Sequence, residues 1–441
     1  MEELKEGWRL ENLEENLEVI LDYRGKTPQK SEKGRVTLSA KSVKMGYIDY
    51  SNIYYVSEET YSKFMTRGFP KKGDILLTTE APLGCVAELK DDSVCLAQRL
   101  ITLRGKKEKL NNKYLLYYLQ SPRGQYELLS KATGTTVQGI KRTEFSKVKI
   151  LMPSLEKQNK IVSILSSIDE KIELNRKINQ NLEETAQTLF KRWFIDFEFP
   201  NEEGKPYKSS GGKLIESELG EIPEGWEVDE LGNNSFLTAG GDKPNLTSKN
   251  KNEKYCIPIY SNGTDKKGLY GYTITSKINE EGITISSRGT VGYVCLRTKP
   301  YYPIVRLISI VIKNKIISNK FLYFFIKKLN IMGTGTTQQQ LTIPNFKKTR
   351  ILIPDISLQK RFEKLIKKSW DKIEMTEEEI EKLIELRDYL LPRLMSGEVN
   401  VSNLKISGIS NSDLSFYLIQ FYHLKMIKLK LSFLAIVNYG F

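Results

Sequence analysis

The chain has 441 residues, 39% of them hydrophobic and 28% charged, which excludes wholesale disorder; at roughly 100–200 residues per domain it has room for several domains. Lys and Arg number 68 against 54 Asp and Glu, and the formal charge of +14 points to a polyanionic partner, nucleic acid ahead of an anionic membrane surface. The only histidine is His423, and the four cysteines (Cys85, Cys95, Cys256 and Cys295) form no CxxC pair. Histidine-based catalysis, a zinc ribbon and a disulfide framework are therefore not expected, and separate reduced thiols fit the cytoplasm.

The N-terminal stretch MEELKEGWRLENLEE lacks the basic start and apolar run of a signal peptide. Gly25-Lys26-Thr27 ends like a phosphate-binding loop, but Ile20 stands where its first glycine belongs, so it reads as a turn. Asp74–Thr78 and Leu100–Leu103 are short runs of strand-forming residues, and YLLYYL (114–119) reads as a buried helix. Pro153 then opens a long helix over 154–195, about 60 Å at about 1.5 Å per residue. Ile161, Leu165, Ile168, Ile172, Asn175, Asn179, Leu182, Ala186, Leu189 and Trp193 form its heptad seam. Asn175 and Asn179 sit mid-seam, where buried polar residues cost stability but select register and partner. Trp193 and Phe194, with Leu390, Leu391 and Leu394 later in the chain, suit core packing or a partner contact. Residues 199–226 are rich in Gly, Pro, Ser and charge and read as a linker.

The pattern then repeats. Glu6-Gly7-Trp8 returns as Glu224-Gly225-Trp226, and ILLTTEAPLGCV (75–86) as ITISSRGTVGYV (283–294). LAQRLITL (96–103) returns as PIVRLISI (303–310), and YLLYYL as FLYFFI (321–326). At a shift of 201, Gly134-Thr135-Thr136 falls on Gly335-Thr336-Thr337, Pro153 on Pro354 and Gln158 on Gln359. The second seam, Phe362, Ile366, Ser369, Ile373, Thr376, Ile380, Leu383, Arg387, Leu390 and Leu394, is mostly apolar at the same places, which favours packing of the two helices on each other. The period is too long for a solenoid and reads as a duplicated domain-plus-helix unit. No Asn/Asp-Pro-Pro-aromatic methyltransferase signature is present. The apolar, lysine-containing tail at 414–437 has no uncharged run of the roughly 20 residues needed to span a bilayer, and it receives no function.

These features together resemble the specificity subunit of type I restriction–modification systems, to about residue 402. The likeness rests on residues 184–228, RDYLLPRLMSGEV (387–399), GDILLTTEAPLG (73–84) with LAQRL (96–100), and SSRGTVG (286–292). The resemblance implies a fold of α/β domains plus long helices: two similar α/β target recognition domains separated by an antiparallel two-helix coiled coil, with a pseudo-two-fold internal repeat. It implies recognition of a bipartite double-stranded DNA target, with no catalytic residue, metal or cofactor. It also implies two methyltransferase subunits and endonuclease/translocase subunits as partners, and no membrane. The expected divisions are domain 1 at 1–152, helix 1 at 153–198, a linker at 199–223, domain 2 at 224–353, helix 2 at 354–396, and an unassigned tail at 397–441.

For phosphate contact the candidates are Lys30, Lys33, Arg35, Lys41, Lys44, Arg67, Lys71 and Lys72, and in the second domain Lys243, Lys249, Lys251, Lys266 and Lys267. The GTT loops add Thr135, Thr136, Gln138, Lys141 and Arg142, and Thr336, Thr337, Gln338, Gln339 and Gln340. Gln can read adenine and Thr can touch phosphate or a thymine methyl, although such loops can equally be structural turns. Arg288, whose counterpart is Glu80, is a further DNA candidate. Arg99 and Arg306 lie in apolar, strand-like runs, where a structural hydrogen bond is expected. Two other functions remain open from the residues alone: a restriction–modification enzyme with an unrecognised catalytic part, and a two-domain adaptor that binds protein. Methyl transfer by the chain alone, or salt-insensitive or absent DNA binding, separates them.

Overall fold

The computed structural model describes residues 4–23, 27–134, 137–329 and 340–401, with Asn52 described by its backbone alone. Four helices organise it: α1 (Asn112–Gln120), α2 (Leu155–Phe194), α3 (Asn319–Lys328) and α4 (Ile356–Met395). The chain divides into two compact units. One holds the described residues up to Arg176 together with those from Glu377 on, and the other is Lys177–Thr376. Each long helix therefore gives one segment to each unit.

In the first unit an antiparallel four-stranded sheet runs in the order Leu17–Asp22, Leu100–Gly105, Ile75–Thr79, Leu83–Glu88. Ile75–Thr79 is buried at every position, which explains a continuous apolar run rather than an alternating one. A smaller sheet, ordered Tyr54–Val56, Arg35–Leu38, Cys95–Leu96, ends in a parallel pairing of Thr37 with Cys95. Helix α1 is capped by the Asn111 side chain, which accepts from the Lys113 and Tyr114 amides. Tyr114 through Leu119 are all buried, as an all-round apolar helix requires. The buried Tyr114 hydroxyl donates to the Leu151 carbonyl at 2.6 Å. Arg9–Asn12 pairs with Lys149–Met152, tying the start of the domain to the strand that leads into α2.

The second unit repeats this plan. Its larger sheet runs Ser235–Ala239, Ile308–Ile312, Gly282–Ile285, Val294–Arg297, the same connectivity as in the first unit. Its smaller sheet runs Thr247–Ser248, Leu269–Thr273, Ile257–Tyr260, Tyr302–Pro303, again ending in a parallel pairing, Ile259 with Tyr302. Glu227–Glu230 pairs with Arg350–Ile353, as Arg9–Asn12 does with Lys149–Met152. The internal repeat of the sequence is thus a repeat of topology.

Within each unit the long-helix segments pack antiparallel. In the first, Asp169 meets Arg387 at 3.2 Å and Asn175 meets Glu379 at 2.9 Å, so one number falls as the other rises. In the second, Asn179 meets Thr376, and the rings of Trp193 and Phe362 are 6.3 Å apart. Seam residues Ile161, Leu165, Ile168 and Ile172 are buried with Leu383 and Leu394 in one core. Ala186 and Trp193 are buried with Phe362, Ile366 and Ile373 in the other. Asn175 and Thr376 are buried polar seam residues, and each makes a hydrogen bond across the pair.

The stretch read as a linker contains a hairpin, Leu214–Ser217 with Gly220–Pro223. Phe199 stacks on Tyr207 and on Trp226, at ring distances of 4.6 and 5.3 Å. Its three aromatic residues, scattered among polar ones, fold it locally despite a loop-like composition.

Candidate nucleic-acid interface

In each unit the chain passes from the smaller sheet to the larger one through a short turn. Cys95–Leu96 belongs to the small sheet and Leu100–Gly105 to the large one, with Arg99 between them. Tyr302–Pro303 and Ile308–Ile312 flank Arg306 in the same way. Both arginines are left-handed, φ +67° for Arg99 and +59° for Arg306, a conformation that costs a side-chain-bearing residue about 1–2 kcal/mol. Hydrogen bonds hold both turns. The Thr79 amide donates to the Arg99 carbonyl at 3.0 Å, and the Ser287 hydroxyl donates to the Arg306 carbonyl at 2.7 Å. The Arg306 amide in turn donates to the Gly240 carbonyl at 2.7 Å.

These two arginines correct the expectation from sequence. They lie just before the strands, not inside them, and both side chains are exposed. Leu100 after Arg99 and Leu307 after Arg306 pack inward, while the crossover between the two sheets leaves the arginines exposed, as it does Val305.

Residues that follow the GTT segments meet the same junction. The Ile140 amide donates to the Thr79 carbonyl at 2.9 Å, and the Leu341 amide to the Ser287 carbonyl at 3.1 Å. Thr133 and Gly139 exchange backbone hydrogen bonds of 2.8 and 3.0 Å, closing the first loop at its base. Each unit therefore gathers a loop base, the chain at or just beyond a central strand (Thr79 or Ser287) and a left-handed arginine. The residue after Thr79 or Ser287 differs: Glu80 lies 3.5 Å from Arg99, whereas Arg288 donates to the Gln340 side chain at 3.3 Å.

The other candidates fare unevenly. Thr135, Thr136, Thr336, Thr337, Gln338 and Gln339 lie outside the described residues, as do most of Gly25-Lys26-Thr27 and the tail from residue 402. Gln138 and Lys141 are exposed beside the first junction. Lys30, Lys33, Lys41, Arg67, Lys71 and Lys72 are exposed, and Lys44 is half-buried. Lys30 sits 5.0 Å from the Tyr54 ring, and the Arg67 guanidinium donates to the Asp22 carbonyl. Arg35 and Arg142 are already engaged, by Glu58 at 2.8 Å and by Glu14, which leaves fewer donors for a ligand. The paired carboxylate raises both guanidinium pKa values, and the Arg142 hydrogen bond lowers that of Glu14. Lys243, Lys249, Lys251, Lys266 and Lys267 are exposed, with Lys243 set 5.9 Å from the Tyr270 ring.

Arg297 had no signal in the sequence. It is buried, stacks on Tyr260 at 3.5 Å, and donates to the Thr284 hydroxyl at 2.9 Å and the Lys267 carbonyl at 2.7 Å. It therefore holds the loop that presents Lys266 and Lys267, both left-handed. Trp193 and Phe194 are core residues in contact with Phe362, not a free surface. Burial pushes the Cys85 thiol up and the Cys95 thiol up to about 11, so neither is a thiolate at neutral pH. Among the described residues, no group of three or more His, Cys, Asp or Glu is placed to hold a metal ion, and no helix is long and apolar enough to cross a membrane.

The type I restriction modification DNA specificity domain profile matches residues 5–184 and again 223–386. The type I restriction enzyme MjaIX specificity subunit of Methanocaldococcus jannaschii is 31% identical over 376 residues, covering 79% of this chain and 82% of that protein. The type I restriction enzyme HindI specificity subunit of Haemophilus influenzae is 26% identical, covering 65% of this chain and 76% of that protein. In fold, the chain is similar to the crystal structure of the type I restriction–modification S subunit from M. genitalium, with a TM-score of 0.50 and 17% identity over 89% of this chain and 97% of that one. Two profile matches, one over each mixed domain and its helix, agree with the doubled junction: the chain belongs to the type I restriction–modification DNA specificity family.

Proposed function

We propose that this chain is the DNA-recognition subunit of a type I restriction–modification complex in the cytoplasm. Each α/β domain reads one half of an asymmetric bipartite target. The paired long helices set the gap between the half-sites and dock two methyltransferase subunits, and endonuclease/translocase subunits join that assembly. The chain contributes no catalytic group of its own.

One observation carries this reading: the same three-part junction stands in both units, yet the residue beside it is Glu80 in one and Arg288 in the other. A shared scaffold with different exposed groups suits two readers of different half-sites. The +14 charge supplies phosphate attraction independent of sequence.

The test is genome-wide methylation mapping in a host that expresses this chain with its methyltransferase subunit. A single asymmetric, bipartite methylated sequence is expected. Inserting seven residues, one heptad, into both α2 and α4 is expected to change the gap and leave both half-sites alone. Altered half-sites with an unchanged gap, or methyl transfer by the chain alone, would defeat the reading.

A further inference from the structure

We propose that Arg99 and Arg306 are a matched pair of DNA-phosphate contacts, one per recognition domain, that anchor the duplex without reading its bases. The proposal rests on the DNA-recognition reading above and assigns it two residues.

The two arginines occupy the same topological position, the crossover from the small sheet to the large one. Both take a left-handed backbone that glycine or asparagine adopts more easily. Backbone strain of this kind persists only where the surroundings impose it, and here Thr79 and Ser287 do so through hydrogen bonds to the two arginine carbonyls. The side chains do not repay the strain by packing. Arg99 is 47% exposed and forms a long ion pair with the half-exposed Glu80, at 3.5 Å. Arg306 is exposed, and among the described residues no hydrogen bond or ion pair occupies its guanidinium. Each lies at the junction that Ile140 or Leu341 meets through its backbone amide.

The chemistry selects phosphate over base. A residue kept the same in both domains cannot distinguish two different half-sites, so it serves what the half-sites share, the backbone. A planar guanidinium offers two parallel donors to one phosphate group. The neighbouring loop differs between the domains, Glu80 standing where the second has Arg288, and such positions are where base preference is free to differ.

The experiment uses the full chain assembled with its methyltransferase subunits. Binding to the mapped target duplex and to a scrambled duplex is measured by anisotropy across a range of salt. The variants are Arg99→Gly and Arg306→Gly, which keep the left-handed turn, Arg99→Lys and Arg306→Lys, which keep the charge, and Arg306→Gln as a second neutral form. Each neutral variant is expected to weaken both duplexes by the same factor, on the order of tenfold, and to lower the salt slope by about 1. The lysine variants are expected to restore the slope, and the methylated sequence is expected to stay the same. Neutral variants that bind like wild type, or that change base preference, overturn the proposal while leaving the recognition reading in place. A wild-type complex that shows no salt-dependent duplex binding overturns that reading, and this proposal with it.

Discussion

Gln158 and Gln359, 201 residues apart (359 − 158), make the same three hydrogen bonds in the two units. The Gln158 Oε1 accepts from the Asn111 amide at 3.0 Å, and its Nε2 donates to the Lys109 and Pro153 carbonyls at 2.9 and 3.0 Å. The Gln359 Oε1 accepts from the Ser318 amide at 2.9 Å, and its Nε2 donates to the Ile316 and Pro354 carbonyls at 2.9 and 2.8 Å. Both side chains are fully buried. Each clamps the first turn of a long helix to the loop that caps a buried helix, α1 or α3, beside the apolar core that the helix and the domain share.

Replacing either glutamine with leucine keeps the volume but orphans a buried amide and two carbonyls. Gln158→Leu and Gln359→Leu are each expected to destabilise their own unit by about 1–3 kcal/mol, measured by urea or thermal unfolding. Unfolding curves that superimpose on wild type would show that the clamp does not hold the fold.

Glu183 on α2 accepts from the Tyr323 hydroxyl and from Lys327 at 2.6 Å. Burial alone would raise its pKa, but the hydrogen bonds from Lys327 and Tyr323 outweigh it, and the net shift is downward from 4.5. A carboxylate with a depressed folded pKa contributes stability that is present above its unfolded value and is lost as pH falls through the folded one. Glu183→Gln is therefore expected to cost roughly 1 kcal/mol at neutral pH, and the deficit should shrink as the pH is taken below the ordinary carboxylate range. Unfolding at both pH values measures it. A deficit independent of pH would mean that packing, not charge, is what the variant disturbs.

Arg288 lies three residues beyond the strand Gly282–Ile285 in the second unit, at the aligned place Glu80 holds in the first. Arg288→Ala is expected to relax base preference within one half of the DNA target by about 1–3 kcal/mol and to leave the other half unchanged. Methylation mapping of the variant reads this directly. Equal loss in both halves would assign Arg288 to general affinity instead.

The doubling was legible in the sequence because the recurring segments stand at one constant spacing, and among them Gln158 and Gln359 perform one local job twice. The seams were legible because heptad spacing is a local consequence of helix geometry. Even the polar seam residues Asn175 and Asn179 stood out, and each proves to bond across its helix pair. The hairpin within residues 199–226 did not stand out, because its strand pairing and the nearby contacts of Phe199, Tyr207 and Trp226 form only on folding.

The site divides along the same line. Residue type and repetition alone determined that two basic, similar domains each carry a long helix, and that loops rich in Thr and Gln recur in both. Which cations are available was decided only by the tertiary structure. Arg35 is taken by Glu58, 23 residues away, and Arg142 by Glu14, 128 residues away, whereas the crossover between sheets turns Arg99 and Arg306 outward from apolar surroundings. Periodicity reports which face of an element is buried, but ion pairing and exposure depend on residues that the chain brings together from a distance, and no local pattern encodes them.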